Sequence, residues 1–210
     1  MAQQAKHDPA MVCNTVGHLM AQECRLEASH QPRKSRAPGL AQVTAPQSAE
    51  HLDENRHELH ARRRDHWEVA PPVERGWSEK EEGQKRPRGK PGLEDKRVQR
   101  AVVRILAAIC EPAWQALSPG CRTGPRQRPA LHELREQCRK RHSTWRVEAE
   151  GRGCFAPLDW SQLRACMQQR VQDGGLWRRS GTWLHAGGLE AGALRSPDKG
   201  TPQGGVVSPI

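Results

Sequence analysis

The chain contains no tyrosine and one phenylalanine, Phe155, and aromatic residues fill only 4% of its 210 positions. Leucine, isoleucine, valine and phenylalanine together supply about 15%, below the roughly 20% under which a highly charged chain tends to disorder or a thin core. A large aliphatic core is therefore excluded, although seven tryptophans and seven cysteines offset part of the deficit. No apolar run approaches the roughly 20 residues that span a bilayer. The first residues, MAQQAKHDPAM, lack the apolar stretch of a secretory signal. The cysteines, at 13, 24, 110, 121, 138, 154 and 166, are odd in number and never spaced C-x-x-C, so neither a disulfide framework nor a zinc ribbon is expected. These absences point to a cytoplasmic protein with no membrane partner.

Positive charge is plentiful. Lys and Arg number 34 against 24 Asp and Glu, a net charge of +10. Such a surface attracts polyanions, and each phosphate it neutralises releases counterions. Nucleic acid is the natural partner; a generally basic surface is the plainer alternative.

Residues 1–50 are rich in Gln, Ala, His, Pro and Ser, with a short helix expected around Val16–Ala28 and much of the rest flexible. Glu50–Trp67 has a thin apolar seam and reads as a surface helix. His57 and His60 lie one turn apart there and could share a metal, but a solvated helix face explains them as well. After Pro71-Pro72, Val73–Trp77 reads as one arm of a hairpin turning at Glu81–Gln84. The basic run Lys85–Lys90 is either a solvated loop or a polyanion patch. Leu93–Ile109 carries the clearest helical period: Val98, Val102, Ile105 and Ile109 share a face, with Arg97, Arg100 and Arg104 elsewhere.

Ser118–Pro129 reads as loop, broken by three prolines. A helix is expected over Ala130–Lys140 with Leu131, Leu134 and Cys138 inward. Ser161–Val171 places Leu163, Cys166, Met167 and Val171 on one face. Leu176–Ala186 places Leu176, Ser180, Trp183 and Leu184 inward, with Gly187-Gly188 as the stop, and Leu194–Ser196 reads as a strand. Between the helices, Trp145–Glu150 alternates as a short strand, Val147 and Ala149 on one face and Arg146, Glu148 and Glu150 on the other. A carboxylate at a strand end before a Gly-rich turn and an aromatic is one way to present a metal ligand; an exposed strand with one charged face is the other reading. The fold class is α+β, mostly helical with a small antiparallel sheet.

Two long strings carry a family resemblance. RPRGKPGLEDKRVQRAVV, Arg86–Val103, resembles the R-P-L-G-I-P-T-L-E-D-K-I-V-Q-R-A-V block of group II intron-encoded reverse transcriptases, also called maturases. GTPQGGVVSP, Gly200–Pro209, is similar to their G-T-P-Q-G-G-V-I-S-P block. Ser118–Leu131 resembles S-Y-G-F-R-P-G-R-S-x-x-x-A-L, and Ala37–Thr44 resembles A-P-G-x-D-G-V-T. His51–Pro72 resembles the approach to the fingers hairpin, so the likeness runs in order over about 35–210.

Composition leaves 1–35 as a low-complexity, flexible segment, and the resemblance implies a right-hand polymerase beyond it, with fingers over 36–144 and a partial palm over 145–210. It implies RNA, as intron or template, and a DNA primer as partners, and Mg2+ for a two-metal phosphoryl transfer. Lys80 and Arg86 stand at triphosphate-binding positions, Gln203 at the glutamine beside the nascent base pair, and Phe155 at the aromatic that screens the sugar 2′ position. Departures matter equally. Where the family has D-I-R-G-F-F-D-S-I-D-H, this chain has EGRGCFAPLDW, so Glu150 takes the catalytic metal-binding position and Ala156 that of the second aspartate. Magnesium demands near-ideal octahedral geometry, and displacement by about 1 Å can cost on the order of a hundredfold in rate. The Tyr-Ala-Asp-Asp hairpin and thumb would follow Ile210. The expectation is a catalytically inactive reverse-transcriptase segment, with an RNA-binding remnant or a functionless relic as the alternatives.

Overall fold

The computed structural model describes residues 2–8, 10–20, 23, 70–79, 85–114, 127–145, 147–149, 151, 155–201 and 204–208. In chain order the elements are α1 (Ala2–His7), β1 (Val73–Glu79), β2 (Lys85–Lys90), α2 (Leu93–Cys110), α3 (Gln127–Lys140), α4 (Trp160–Gln168), α5 (Gly174–His185), β3 (Gly188–Glu190) and β4 (Ala193–Arg195). Among the described residues, no helix is long and apolar enough to cross a membrane.

Helix α2 is the spine. Glu94 and Asp95 occupy its first turn, where carboxylates suit the positive end of the helix dipole. Val98, Ala101, Val102, Ile105, Leu106 and Ile109 are buried along one stripe, as their spacing predicts. Pro112, in a 3-10 turn over Glu111–Ala113, stops the helix. Around the stripe pack Cys13, Val16 and Met20 from the amino-terminal segment, Val171, and Leu176 and Trp183 of α5. At about 1.5–3 kcal/mol for each large aliphatic side chain, this one cluster carries much of the available hydrophobic stabilisation. Cys13, Val16 and Met20 lie inside the segment expected to be flexible. A helical turn over 17–20 lies within the expected Val16–Ala28 helix.

Asp173 ties that segment to α5. Its carboxylate accepts from Leu176 N at 2.9 Å, capping α5, and from Val16 N at 2.6 Å and Gly17 N at 2.9 Å. Burial alone would raise its pKa, but these amides, with that of Gly175, outweigh it and hold the carboxyl below its ordinary value.

The sheet order is β2-β1-β3-β4. Strands β1 and β2 form the expected antiparallel hairpin, which resolves the basic run into its second arm, with Arg75 opposite Gly89 and Trp77 opposite Pro87. Pro87 is tolerated because β2 is an edge strand. Strands β3 and β4 turn through Ala191 and Gly192, both at positive φ, the backbone of a tight two-residue hairpin.

Several expectations are corrected. The sheet is mixed rather than antiparallel, because β1 pairs with β3 in parallel through Val73–Gly188 and Glu74–Leu189. The intervening helices make that crossover possible. Residues 143–145 and 147–149 form no strand: Trp145 and Val147 are 90% and 92% exposed, since the sheet offers them no ladder partner and Val147 with Ala149 makes too little apolar surface to dock alone. In α3, Leu131 and Leu134 are exposed. That helix starts earlier than expected, at Gln127, with Pro129 tolerated in its first turn. In α4, Cys166 is likewise exposed, while Leu163 and Met167 are half-buried. The expected helix over 50–67, with His57 and His60, lies outside the described residues.

Candidate functional site

The chain after β4 folds back over the β1–β2 hairpin, and glycine permits the approach. Gly200 has φ +81, and a Cβ there would stand 2.5 Å from Ala156 O. Gly200 N donates to Leu158 O at 2.7 Å and Thr201 N to Phe155 O at 3.1 Å. Trp160 Nε1 donates to Gly200 O at 2.7 Å. Four residues later Gly204, φ +105, would place a Cβ 2.7 Å from Gly89 O of β2. Val206 N donates to Gln99 Oε1 at 2.7 Å, and Gln99 is only 4% exposed. Gln99 and Gly89 belong to the first motif block, Gly200–Val206 to the second. The two blocks meet.

Beside this contact lies a cavity of about 380 Å3. Arg75, Arg88, Arg195 and Lys199 line it, together with Phe155 and Ala156. Two of its cations share one carboxylate: Glu190 lies 3.5 Å from Arg75 and 3.8 Å from Arg195, and also accepts from Trp77 Nε1 at 3.0 Å. The Arg75 guanidinium sits 5.5 Å from the Trp77 ring centroid. Arg88 Nε donates to Ser78 Oγ at 3.1 Å. Among the described residues, neither Arg88 nor Lys199 forms an ion pair, so their charge is available to an anion. Cations around an exposed aromatic ring suit a phosphate-bearing ligand whose base can stack.

The expected site residues fare unequally. Phe155 lines the cavity and is 43% exposed. Arg86 lies in β2 opposite Ser78. Lys80, Glu150 and Gln203 lie outside the described residues. Arg97, Arg100 and Arg104 do not line the cavity; Arg75, Arg195 and Lys199 do, and were not singled out. The signal for Arg75 was its hairpin register; nothing local marked Arg195 and Lys199.

The donor set for a magnesium ion does not assemble among the described residues: no three His, Cys, Asp or Glu side chains group together. Ala156 has no ligating atom in its side chain. Asp159, at the end of the same turn, caps α4 instead, accepting from Ser161 N at 2.8 Å and Gln162 N at 3.1 Å. The Ser161 hydroxyl, then the Gln162 and Ser161 amides, hold its carboxyl below the usual range.

No protein-family profile matches the chain. It is 33% identical over 140 residues to the group II intron-encoded protein LtrA of Lactococcus lactis subsp. cremoris, covering 66% of this chain and 23% of that protein. It is 29% identical over 142 residues to protein YkfC of Escherichia coli, covering 66% and 37% respectively. It is 31% identical over 132 residues to an uncharacterised 91 kDa protein in the cob intron of Schizosaccharomyces pombe, covering 63% and 16%. The matched part thus spans 16% to 37% of these relatives' lengths.

Proposed function

Because the chain is related to group II intron-encoded proteins over 66% of its length, we propose that it is the fingers and partial palm of a reverse transcriptase of that type. It grips RNA, intron or template, in the cleft of Arg75, Arg88, Arg195 and Lys199, and does not polymerise alone. The observation that carries this reading is the meeting of the two motif blocks at that cleft, through Gln99–Val206 and Gly89–Gly204. Arg86 and Lys80 would reach a triphosphate, Phe155 would limit the room beside the sugar, and Gln203 would lie next to the template base. Arg88 and Lys199 supply phosphate contacts without base preference. Ala156 is what separates binding from chemistry, since it brings no second carboxylate to a metal.

Fluorescence anisotropy with a short RNA tests the binding. Affinity should fall steeply with salt, and Arg88→Ala and Lys199→Ala should each weaken it and lower the log–log salt slope by about 1. A Kd that is flat from low to moderate salt would overturn the reading. Primer extension on an RNA template with Mg2+ tests the rest: no extension is expected, and extension abolished by Glu150→Ala would overturn the inactive assignment.

A further inference from the structure

A second cavity, of about 370 Å3, lies among α2, α4 and α5, and its surface is mostly apolar. Trp160, Trp177, Trp183, Leu163 and Met167 line it, with Asp95. Each indole N–H is already engaged: Trp160 with Gly200 O at 2.7 Å, Trp177 with Val171 O at 3.1 Å and Trp183 with Asp95 Oδ1 at 3.4 Å. What the three tryptophans have left to offer a guest is carbon and π surface. Gln99, Arg164 and His185 are the other large polar side chains of this lining, and Asp95 is its one carboxylate among the described residues. Its hydrogen bond from Trp183 is long, and no cation lies within ion-pair distance of it among the described residues.

We propose that this cavity binds a small organic cation with an apolar body, its charge paired with Asp95 and its body against the tryptophans. A desolvated carboxylate with one weak neutral donor is costly, and a cation brought into contact removes that cost. Ring faces add attraction for the same charge. Burial raises the Asp95 pKa to about 6, only partly relieved by the Trp183 N–H, with Glu94 raising it further. The group is therefore ionised and available at neutral pH. The other charged or titratable groups near it are Glu94 on its own helix, and Arg164 of α4 and His185 of α5, the latter two lining the cavity. Arg164 opposes a cation, but it is solvent-exposed and its field is screened over the Debye length.

The probe is benzyltrimethylammonium, compared with its uncharged carbon isostere neopentylbenzene, titrated into the full chain while the Trp183 indole N–H resonance is followed. The cation should bind at least about tenfold more tightly than the isostere at about pH 7.5. Lowering the pH to about 5 should weaken it about tenfold, because a group with a pKa of about 6 is then roughly one-tenth ionised. Asp95→Asn, which keeps an acceptor for Trp183, should lose both the preference and the pH dependence while leaving the neutral probe within about twofold. Persistence of the pH dependence in that variant would overturn Asp95 as the charge partner. Equal binding of the two probes, no binding of either at millimolar concentration, or undiminished cation binding by Asp95→Asn would each overturn the proposal.

Discussion

Replacing Gln99 by leucine isolates the contact that joins the two motif blocks. Gln99 Oε1 accepts from Val206 N at 2.7 Å across 107 residues of chain, from a side chain that is 4% exposed. Leucine fills most of the volume but accepts nothing, so the Val206 N–H is left unpaired in a part-buried site. Leaving such a donor unsatisfied costs about 1–3 kcal/mol. Val98, Val102 and Leu106 still hold α2 in place, so the cost should fall on the docking of 204–208 rather than on the whole fold. A loop destabilised by that amount opens roughly 5-fold to 150-fold more often. Amide hydrogen exchange at Val206 should accelerate by that factor, while amides in the middle of α2 should change far less. RNA affinity should drop alongside, since the chain from Lys199 and Gly200 to Val206 would no longer be fixed against the hairpin that bears Arg88. Unchanged exchange at Val206 would refute the assignment of Gln99 as the anchor. Uniform acceleration throughout α2 would show that the glutamine supports the core and not the loop.

Gly200→Ala should cost about 1–3 kcal/mol by thermal melting, since a methyl group would stand 2.5 Å from Ala156 O at φ +81; a neutral result would mean that the turn relaxes freely. Asp173→Ala removes caps from two helical segments and should cost about 2 kcal/mol at neutral pH. Its folded pKa is depressed, so its contribution is present above the unfolded carboxyl value and fades as pH falls through the folded one; the gap between wild type and variant should narrow in acid. Asp95 has the opposite sign. Its pKa rises from 3.8 to about 6, so its ionisation disfavours the fold as pH climbs through that window. Asp95→Asn should be more stable than wild type by about 2–4 kcal/mol above pH 6 and lose that advantage near pH 4 in urea titrations; a pH-independent difference would refute the assignment.

The parts of the fold legible in the sequence are those whose stability is local. The α2 stripe of Val98, Val102, Ile105 and Ile109 is written at helical spacing and needs only something apolar to face. The β1–β2 hairpin is marked by flanking prolines and a charged turn, and α5 ends where Gly187, at φ +67, brings its Cα so near Arg195 O that a Cβ would lie 2.5 Å away. The misreadings share another cause. Trp145–Glu150 alternates like a strand, but alternation is only an offer of two faces, and a strand exists when a neighbour accepts its ladder. The same holds for Leu131 and Leu134, spaced correctly on α3 but left exposed among the described residues.

The candidate site lies between these extremes, and the reason is chain separation. Phe155 was visible because its block could be set beside a family pattern letter by letter. The basic wall was not, because Arg75 and Arg88 of the β1–β2 hairpin and Arg195 and Lys199 at and after the end of β4 lie in two distant segments that converge only after β1 pairs with β3 in parallel. That pairing is encoded in no single stretch; it follows from α2 and α5 packing on one core and thereby bringing Val73 to Gly188. The glycines of the second block become interpretable only at that stage. Gly200 and Gly204 serve as close-approach points, one against the Phe155–Ala156 carbonyls and one against Gly89, and Gln99 is the buried polar group that fixes the second of them. A sequence can advertise such a block as unusual, but what it touches is decided by the core, and it is the core helix α2 that carries both the apolar stripe and the glutamine.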